Sequence, residues 1–167
     1  MIPSILVTRI AAHRRFNPTI DIVFTNGCFD ISGFHHVKLF GWIKGRFPRS
    51  VLIVAVNSNA SVSRLKPGRP INTLEHRMYV ISELRSVDYV TYFDEDTPLE
   101  LIQMLRPNIL VKGGDYAGQR IVGQDFVEAN GGKVCFFPLV EGCSTTKTIQ
   151  NMGRSTTEIL RKQGEAK

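Results

Sequence analysis

Long apolar runs are missing from this chain: no stretch approaches the roughly 18 residues that a membrane span requires, so no membrane protein is expected. Cysteine is sparse, with Cys28, Cys135 and Cys143 the only three in 167 residues. The odd count and the lack of any CxxC spacing argue against a disulfide framework, and reduced thiols follow as the expectation. GxGxxG is absent, which removes the main support for a dinucleotide oxidoreductase. No cysteine, histidine or carboxylate stands at zinc-site spacing to His35 and His36, so no protein-bound metal is expected. The N-terminal stretch MIPSILVTRIAAHRRF is interrupted by Pro3 and Arg9 and has no basic region ahead of its apolar residues, a poor signal peptide; a cytoplasmic protein is expected.

What is present is ordinary for a soluble globular domain, with 43% apolar and 22% charged residues. The length fits one domain, residues 1–167, with 1–18 as an N-terminal extension of unassigned role and 153–167 as a C-terminal tail. A net charge of +6 favours anionic partners. The basic residues are dispersed, and only Arg161, Lys162 and Lys167 gather in the tail. With no clustered basic helix and no aromatic stacking pattern, a nucleic-acid partner is disfavoured.

Short β-branched runs alternate with helical patterns. Strands are predicted at Asp21 to Thr25, Val51 to Val56, Val87 to Phe93, Asn108 to Val111 and Lys133 to Phe137. This alternation implies βαβ units and an α/β fold: a Rossmann-like open parallel sheet of about five strands with helices on both faces. Asn72 and Glu75 read as a capping box ahead of Leu74, Met78, Ile81 and Leu84 at helical spacing. Thr97, Pro98 and Glu100 open a second helix, with proline at its first position, and Pro107 stops it. Further helices are predicted from about His35 to Gly45 and from near Ser144.

Four separated segments combine small residues with polar or cationic ones where strands end: TNGCFD (25–30), residues 64–77, VKGGDY (111–116) and EGCSTTK (141–147). Open parallel sheets gather ligands at the carboxyl ends of their strands, so nucleotide chemistry is the leading reading. Asn26 and Gly27 permit a tight turn whose N–H groups face a phosphate. His35 and His36 stand at the start of a helix, well placed for an anion. Arg64, Lys66 and Arg69 lie in a loop read as mobile and able to close over a triphosphate, with Arg77 adding to the cluster. Lys112 can meet a phosphate, Gly113 and Gly114 permit close approach, and Asp115 can accept hydrogen bonds. Ser144, Thr145 and Thr146 open a helix with Lys147 behind them. Each segment alone also has a bland reading as a turn, a solvated loop or an N-cap.

Taken together, TNGCFD, VNSN, LKPGRP with Arg77, FDEDTP, LVKGGDY and LVEGCSTT resemble the cytidylyltransferase-like nucleotidyltransferase family, in order from about Asp21 to Met152. Within it they are most similar to the branch that transfers AMP from ATP to heptose 1-phosphate, giving ADP-heptose and pyrophosphate. The resemblance implies a cytoplasmic homodimer that uses Mg²⁺ with ATP and a phosphorylated sugar, and forms no covalent intermediate. It also implies that Gly27, Cys28 and Phe29 line the triphosphate and base, that Gly113 and Asp115 contact the nucleoside, and that Ser144, Thr145 and Thr146 hold the outer phosphates. Lys66, Arg69 and Arg77 would form a cationic clamp. The chain departs from the family's His-x-Gly-His signature: it reads Gly33, Phe34, His35, His36, retaining only the last histidine, and Asn59 stands where aspartate is frequent. Two outcomes are open: His35 replaces the absent imidazole, or the protein binds ligand with little turnover. A cytidylyltransferase acting on glycerol 3-phosphate or a similar ester is the rival within the family.

Overall fold

The apolar runs pair into one five-stranded parallel sheet of order β3-β2-β1-β4-β5. The computed structural model describes residues 2–138, in which the strands are β1 (Asp21–Gly27), β2 (Ser50–Asn57), β3 (Tyr89–Phe93), β4 (Ile109–Gly113) and β5 (Lys133–Phe137). All eight residues of β2 are buried, as a strand covered on both faces requires. The sequence placed each strand correctly to within a few residues; β3 begins at Tyr89, after Val87 and Asp88, and Asp88 fastens its start by donating its amide to the Leu52 carbonyl while its carboxylate accepts from the Leu52 amide and Lys44.

Alternation along each strand divides the interior into two layers. Ile22, Phe24, Ile53 and Leu110 face one cluster, where Leu101, Ile102 and Leu105 of α5 (Leu99–Leu105) and Val127 of α6 (Gln124–Ala129) cover them. Val23, Leu52, Val54 and Val111 face the other, covered by Leu39, Phe40 and Ile43 of α2 (Phe34–Arg46) and Ile81 of α4 (Leu74–Ser82). The short α3 (Asn59–Leu65) follows β2 and was not legible as a helix; Ser58 caps it by accepting from the Ser61 amide. The α6 helix was also unread.

Residues 3–16, whose role the sequence left open, form helix α1. Leu6 and Ile10 lie four apart on one face and are 0% and 1% exposed within the first cluster, each burial stabilising by about 1.5–3 kcal/mol. Ile5 stays exposed. Arg14 donates to the Leu105 carbonyl at 3.1 Å and His13 bonds the Tyr89 hydroxyl at 2.8 Å, which ties α1 to α5 and to the edge strand.

Two helix starts differ from expectation. The α4 cap is Thr73, whose hydroxyl accepts from the His76 amide, while the Asn72 side chain is spent on the Asp30 carbonyl. Pro98 is the cap residue of α5 rather than its first helical residue. The helix predicted near Ser144 lies outside the described residues. Among the described residues no helix is long and apolar enough to cross a membrane.

Candidate active site

In this strand order the direction of winding reverses between β1 and β4, the topological switch point where open α/β sheets open a ligand crevice. The carboxyl ends of β1, β2 and β4 carry TNGCFD, Asn57 to Asn59, and Lys112 to Tyr116 to that rim. Two of the four sequence segments are carried there directly, and residues 64–77 join them through Arg69, which pairs with Asp30, and Arg77, which donates to the Cys28 and Asn57 carbonyls. The fourth, with Ser144, Thr145 and Thr146, lies outside the described residues.

The turn after β1 is held by Phe29. Its backbone is left-handed at φ 47°, a conformation that costs a non-glycine residue about 1–2 kcal/mol. Burial offsets that strain: the ring is 5% exposed and packs edge-on against His36 at 5.1 Å and beside Phe40 at 5.6 Å. A Cβ on Gly27 would lie 3.2 Å from this ring, so glycine is what lets the ring fold back under the turn. The Phe29 side chain is thus core, leaving its backbone and those of Gly27 and Cys28 to face a ligand.

His36 sits on the first turn of α2 above that ring, and its Nδ1 accepts the Gly33 N–H at 3.2 Å. With Nδ1 so occupied, the neutral ring carries its proton on Nε2, a donor available to a phosphoryl oxygen. Burial, with further contributions from His35 and Lys66, pulls its pKa down to about 4. The His35 ring stacks on it at 3.8 Å, and burial lowers its pKa as well. Both rings are therefore mainly neutral at pH 7. His35 Nδ1 lies 3.7 Å from where a Cβ on Gly33 would stand, so its ring occupies the space beside the residue that departs from the family signature.

The cations divide into spent and free. Arg77 is 2% exposed: its Nε donates to the Asn72 carbonyl (3.0 Å), Nη1 to the Cys28 and Asn57 carbonyls (2.7 and 2.8 Å), and Nη2 to Asn59 Oδ1 (2.8 Å). Four of its five N–H groups are thereby used to bind three loops together. Asn59, the other departure, is one of its acceptors. Arg69 pairs through Nε with Asp30, whose side chain is fully buried. Asp30 also accepts from the Ile71 and Asn72 amides at 2.8–2.9 Å. Burial pushes the Asp30 carboxyl up, but these amides and Arg69 outweigh it and hold the pKa below its usual value. The loop read from sequence as mobile is consequently pinned at Arg69, Ile71 and Asn72, because a buried carboxylate requires those donors. Arg64 turns outward to Asp96 and the Asp94 carbonyl. Lys66 is exposed and close enough to depress the pKa of His36.

Lys112 and Asn26 meet across the switch point, with Nζ donating to Oδ1 at 2.5 Å. Asp115 and Tyr116 follow in a single 3₁₀ turn, and the Asp115 carboxylate lies over Gly113, in the space that a Cβ there would take. Sequence pattern points to Lys112, Gly113 and Asp115 but gives no site role to Asp30 or the Asn26 side chain, and it suggests for Asn72 only a helix cap. Their contacts span 41, 42 and 86 residues, beyond any local signal.

The profile of the family described as Cytidylyltransferase-like matches residues 24–162. The bifunctional protein HldE of Azotobacter vinelandii is 52% identical over 134 residues, covering 80% of this chain and 28% of that protein. The bifunctional protein HldE of a Marinomonas species is 54% identical over 130 residues, covering 77% and 27%. The chain spans little more than a quarter of the length of these curated relatives. Among solved structures, the lipopolysaccharide core biosynthesis protein from Thermoplasma volcanium GSS1 has a TM-score of 0.58 at 24% identity, over 72% of this chain and 96% of its own. The macrolide-efflux protein from Streptococcus pneumoniae has a TM-score of 0.58 at 22% identity, over 78% and 51%. Both structures speak for the fold alone. With the family profile spanning most of the chain and its motifs gathered at the switch point, the chain belongs to the cytidylyltransferase-like family of nucleotidyltransferases.

Proposed function

We propose that this domain transfers AMP from ATP to the phosphate of a sugar 1-phosphate, D-glycero-β-D-manno-heptose 1-phosphate, giving ADP-heptose and pyrophosphate. The observation that carries this reading is the convergence of a glycine turn, two neutral imidazoles and a lysine with no ion pair among the described residues at one switch point, in a chain about half identical to HldE proteins over that stretch. A phosphate oxygen of the sugar phosphate attacks the α-phosphorus in line. The new P–O bond forms as the bond to the β-phosphate bridging oxygen breaks, and pyrophosphate leaves with that electron pair. Such a reaction asks the protein for positioning and charge stabilisation, not for a nucleophile.

The neutral His36 Nε2–H suits donation to a phosphoryl oxygen, and the Gly33 amide holds the ring in the tautomer that allows it. His35, stacked on His36 and lying beside Gly33, supplies the second imidazole in place of a histidine at position 33. Backbone N–H groups of the Gly27 to Phe29 turn and the Lys66 ammonium serve the phosphates, while Gly113 and Asp115 serve the nucleoside. Ser144, Thr145 and Thr146 are assigned the outer phosphates on motif resemblance. Mg²⁺ enters as part of the Mg·ATP substrate, since this ion is commonly carried by substrate phosphates. On the same reading the protein acts in the cytoplasm as a homodimer.

The test is pyrophosphate release with ATP or CTP against a panel of sugar and polyol phosphates. Turnover restricted to ATP with heptose 1-phosphate supports the reading. CTP with glycerol 3-phosphate as the preferred pair would replace it with the cytidylyltransferase alternative, and nucleotide binding without turnover would make the protein a binder.

A further inference from the structure

Among the described residues, Lys112 is a partly buried cation at the rim that has no ion pair. Extending the β1–β4 register from Val23↔Ile109 and Phe24↔Leu110 brings Asn26 opposite Lys112, on the face shared by Phe24 and Leu110. The lysine is partly buried, and its Nζ has one acceptor among the described residues, the neutral Asn26 Oδ1. The Tyr116 ring lies 5.6 Å from Nζ. No ion pair within 4 Å involves Lys112 among the described residues, whereas Arg69 and Arg64 each have one and Arg77 has four of its five N–H groups engaged.

A desolvated ammonium with one neutral acceptor is costly to maintain unless something else neutralises it. Burial pulls its pKa down to about 8, although Asp115 and Cys28 act in the opposite direction. Among the described residues, Asp115, Cys28 and the Tyr116 hydroxyl are the titratable groups around it. Asn26 takes one N–H, which leaves two donors for a ligand in the crevice. An amide at position 26 orients the ammonium without consuming its charge, as an aspartate there would.

We propose that Asn26, Lys112 and Tyr116 form a subsite that binds a phosphate group at the switch point, with Asn26 aiming the ammonium and Tyr116 shielding it from water. This deepens the transferase reading, on which it rests for the class of ligand; the phosphate belongs either to the nucleotide or to the acceptor sugar. Filling the subsite raises the lysine's affinity for its proton, and binding weakens as pH rises through about 8, where the free side chain loses its charge.

The experiment uses the full chain. Competitive acetylation of lysines across pH, read by peptide mass spectrometry, reports the Lys112 midpoint with and without inorganic phosphate, ATP or heptose 1-phosphate. Phosphate should raise the midpoint and protect Lys112, and whichever substrate does the same identifies the source of the phosphate. Calorimetry on Lys112→Gln should show affinity for that substrate reduced about ten- to a hundredfold, the worth of a charge-assisted hydrogen bond. Asn26→Asp should keep or raise the melting temperature, by pairing Lys112, yet weaken phosphate binding comparably; a purely structural lysine would not show that split. This second variant also serves if Lys112→Gln fails to fold. No protection of Lys112 by any of the three ligands, or wild-type affinity in both variants, overturns the subsite. Turnover unaffected by either variant would do so while leaving the transferase reading intact. Protection by inorganic phosphate in a protein that transfers nothing would remove the transferase reading and retain the subsite.

Discussion

Replacing Arg77 with methionine should destabilise the domain before it affects any ligand. The guanidinium donates four hydrogen bonds inside the fold, three of them to the main-chain carbonyls of Cys28, Asn57 and Asn72, and the residue is 2% exposed. A hydrogen bond to a charged donor contributes about 1.5–3 kcal/mol, and a buried acceptor left bare costs about 1–3 kcal/mol. The four do not add, because the loops relax and water reaches the outer ones, so a total of about 3–5 kcal/mol is the reasonable figure, matching the usual cost of breaking a buried charged network. For a domain of this size that corresponds to a fall in Tm of about 6–20 °C. Methionine keeps the apolar stem and removes only the donors. Lysine should recover little, since one ammonium cannot bridge acceptors from three loops as a planar fork does. Differential scanning fluorimetry and urea unfolding check this. A methionine variant that melts within a degree or two of wild type, with only the KM for ATP raised, would show that Arg77 is the ligand clamp its motif suggests and that the carbonyls are satisfied without it.

Three further outcomes are expected. Asp30→Asn removes the ion pair to Arg69 and weakens two amide contacts, so the 66–72 loop should loosen; a loss of about 3 kcal/mol in urea unfolding, with faster amide exchange at Ile71 and Asn72, would check it. His36 has a folded pKa of about 4 against 6.5 unfolded, so the unfolded chain binds the extra proton between those values. Its stabilising share is complete above pH 6.5 and falls away as pH drops towards 4, by up to about 3 kcal/mol; His36→Gln should flatten that acid limb of stability, measured against wild type by denaturant titration. His35→Gly should cut turnover about 10²- to 10³-fold as one transition-state donor is lost, and adding Gly33→His should recover much of it, because the backbone at 33 is extended and a Cβ there meets only the ring that the first change removes. Wild-type turnover in the single variant would show that His35 is a bystander.

Much was legible because it depends on short-range pattern. Strands such as VLIVAV and the helix face of Leu101, Ile102 and Leu105 follow from periodicity, which local backbone geometry enforces wherever the segment lies. Gly27, the histidine pair, Lys66 and Lys112, singled out by residue chemistry, lie at the carboxyl ends of β1, α3 and β4 or the start of α2. The assignment of the cations was not legible. Arg69 and Arg77 look in sequence like phosphate clamps; in the fold Arg69 Nε pairs with Asp30, and Arg77 donates to the carbonyls of Cys28, Asn57 and Asn72. Which acceptor a guanidinium meets depends on chain separations of 18 to 49 residues, set by how β1, β2 and α4 stack, and no window of sequence contains that distance.

The chain's order of residues by itself determined a parallel α/β sheet and a rim rich in small, cationic and imidazole groups. Tertiary packing alone decided which of those groups stay free to meet a ligand. A strand's character is settled by its own neighbours along the chain, whereas the availability of a charge is settled by whatever the fold brings within three ångströms of it.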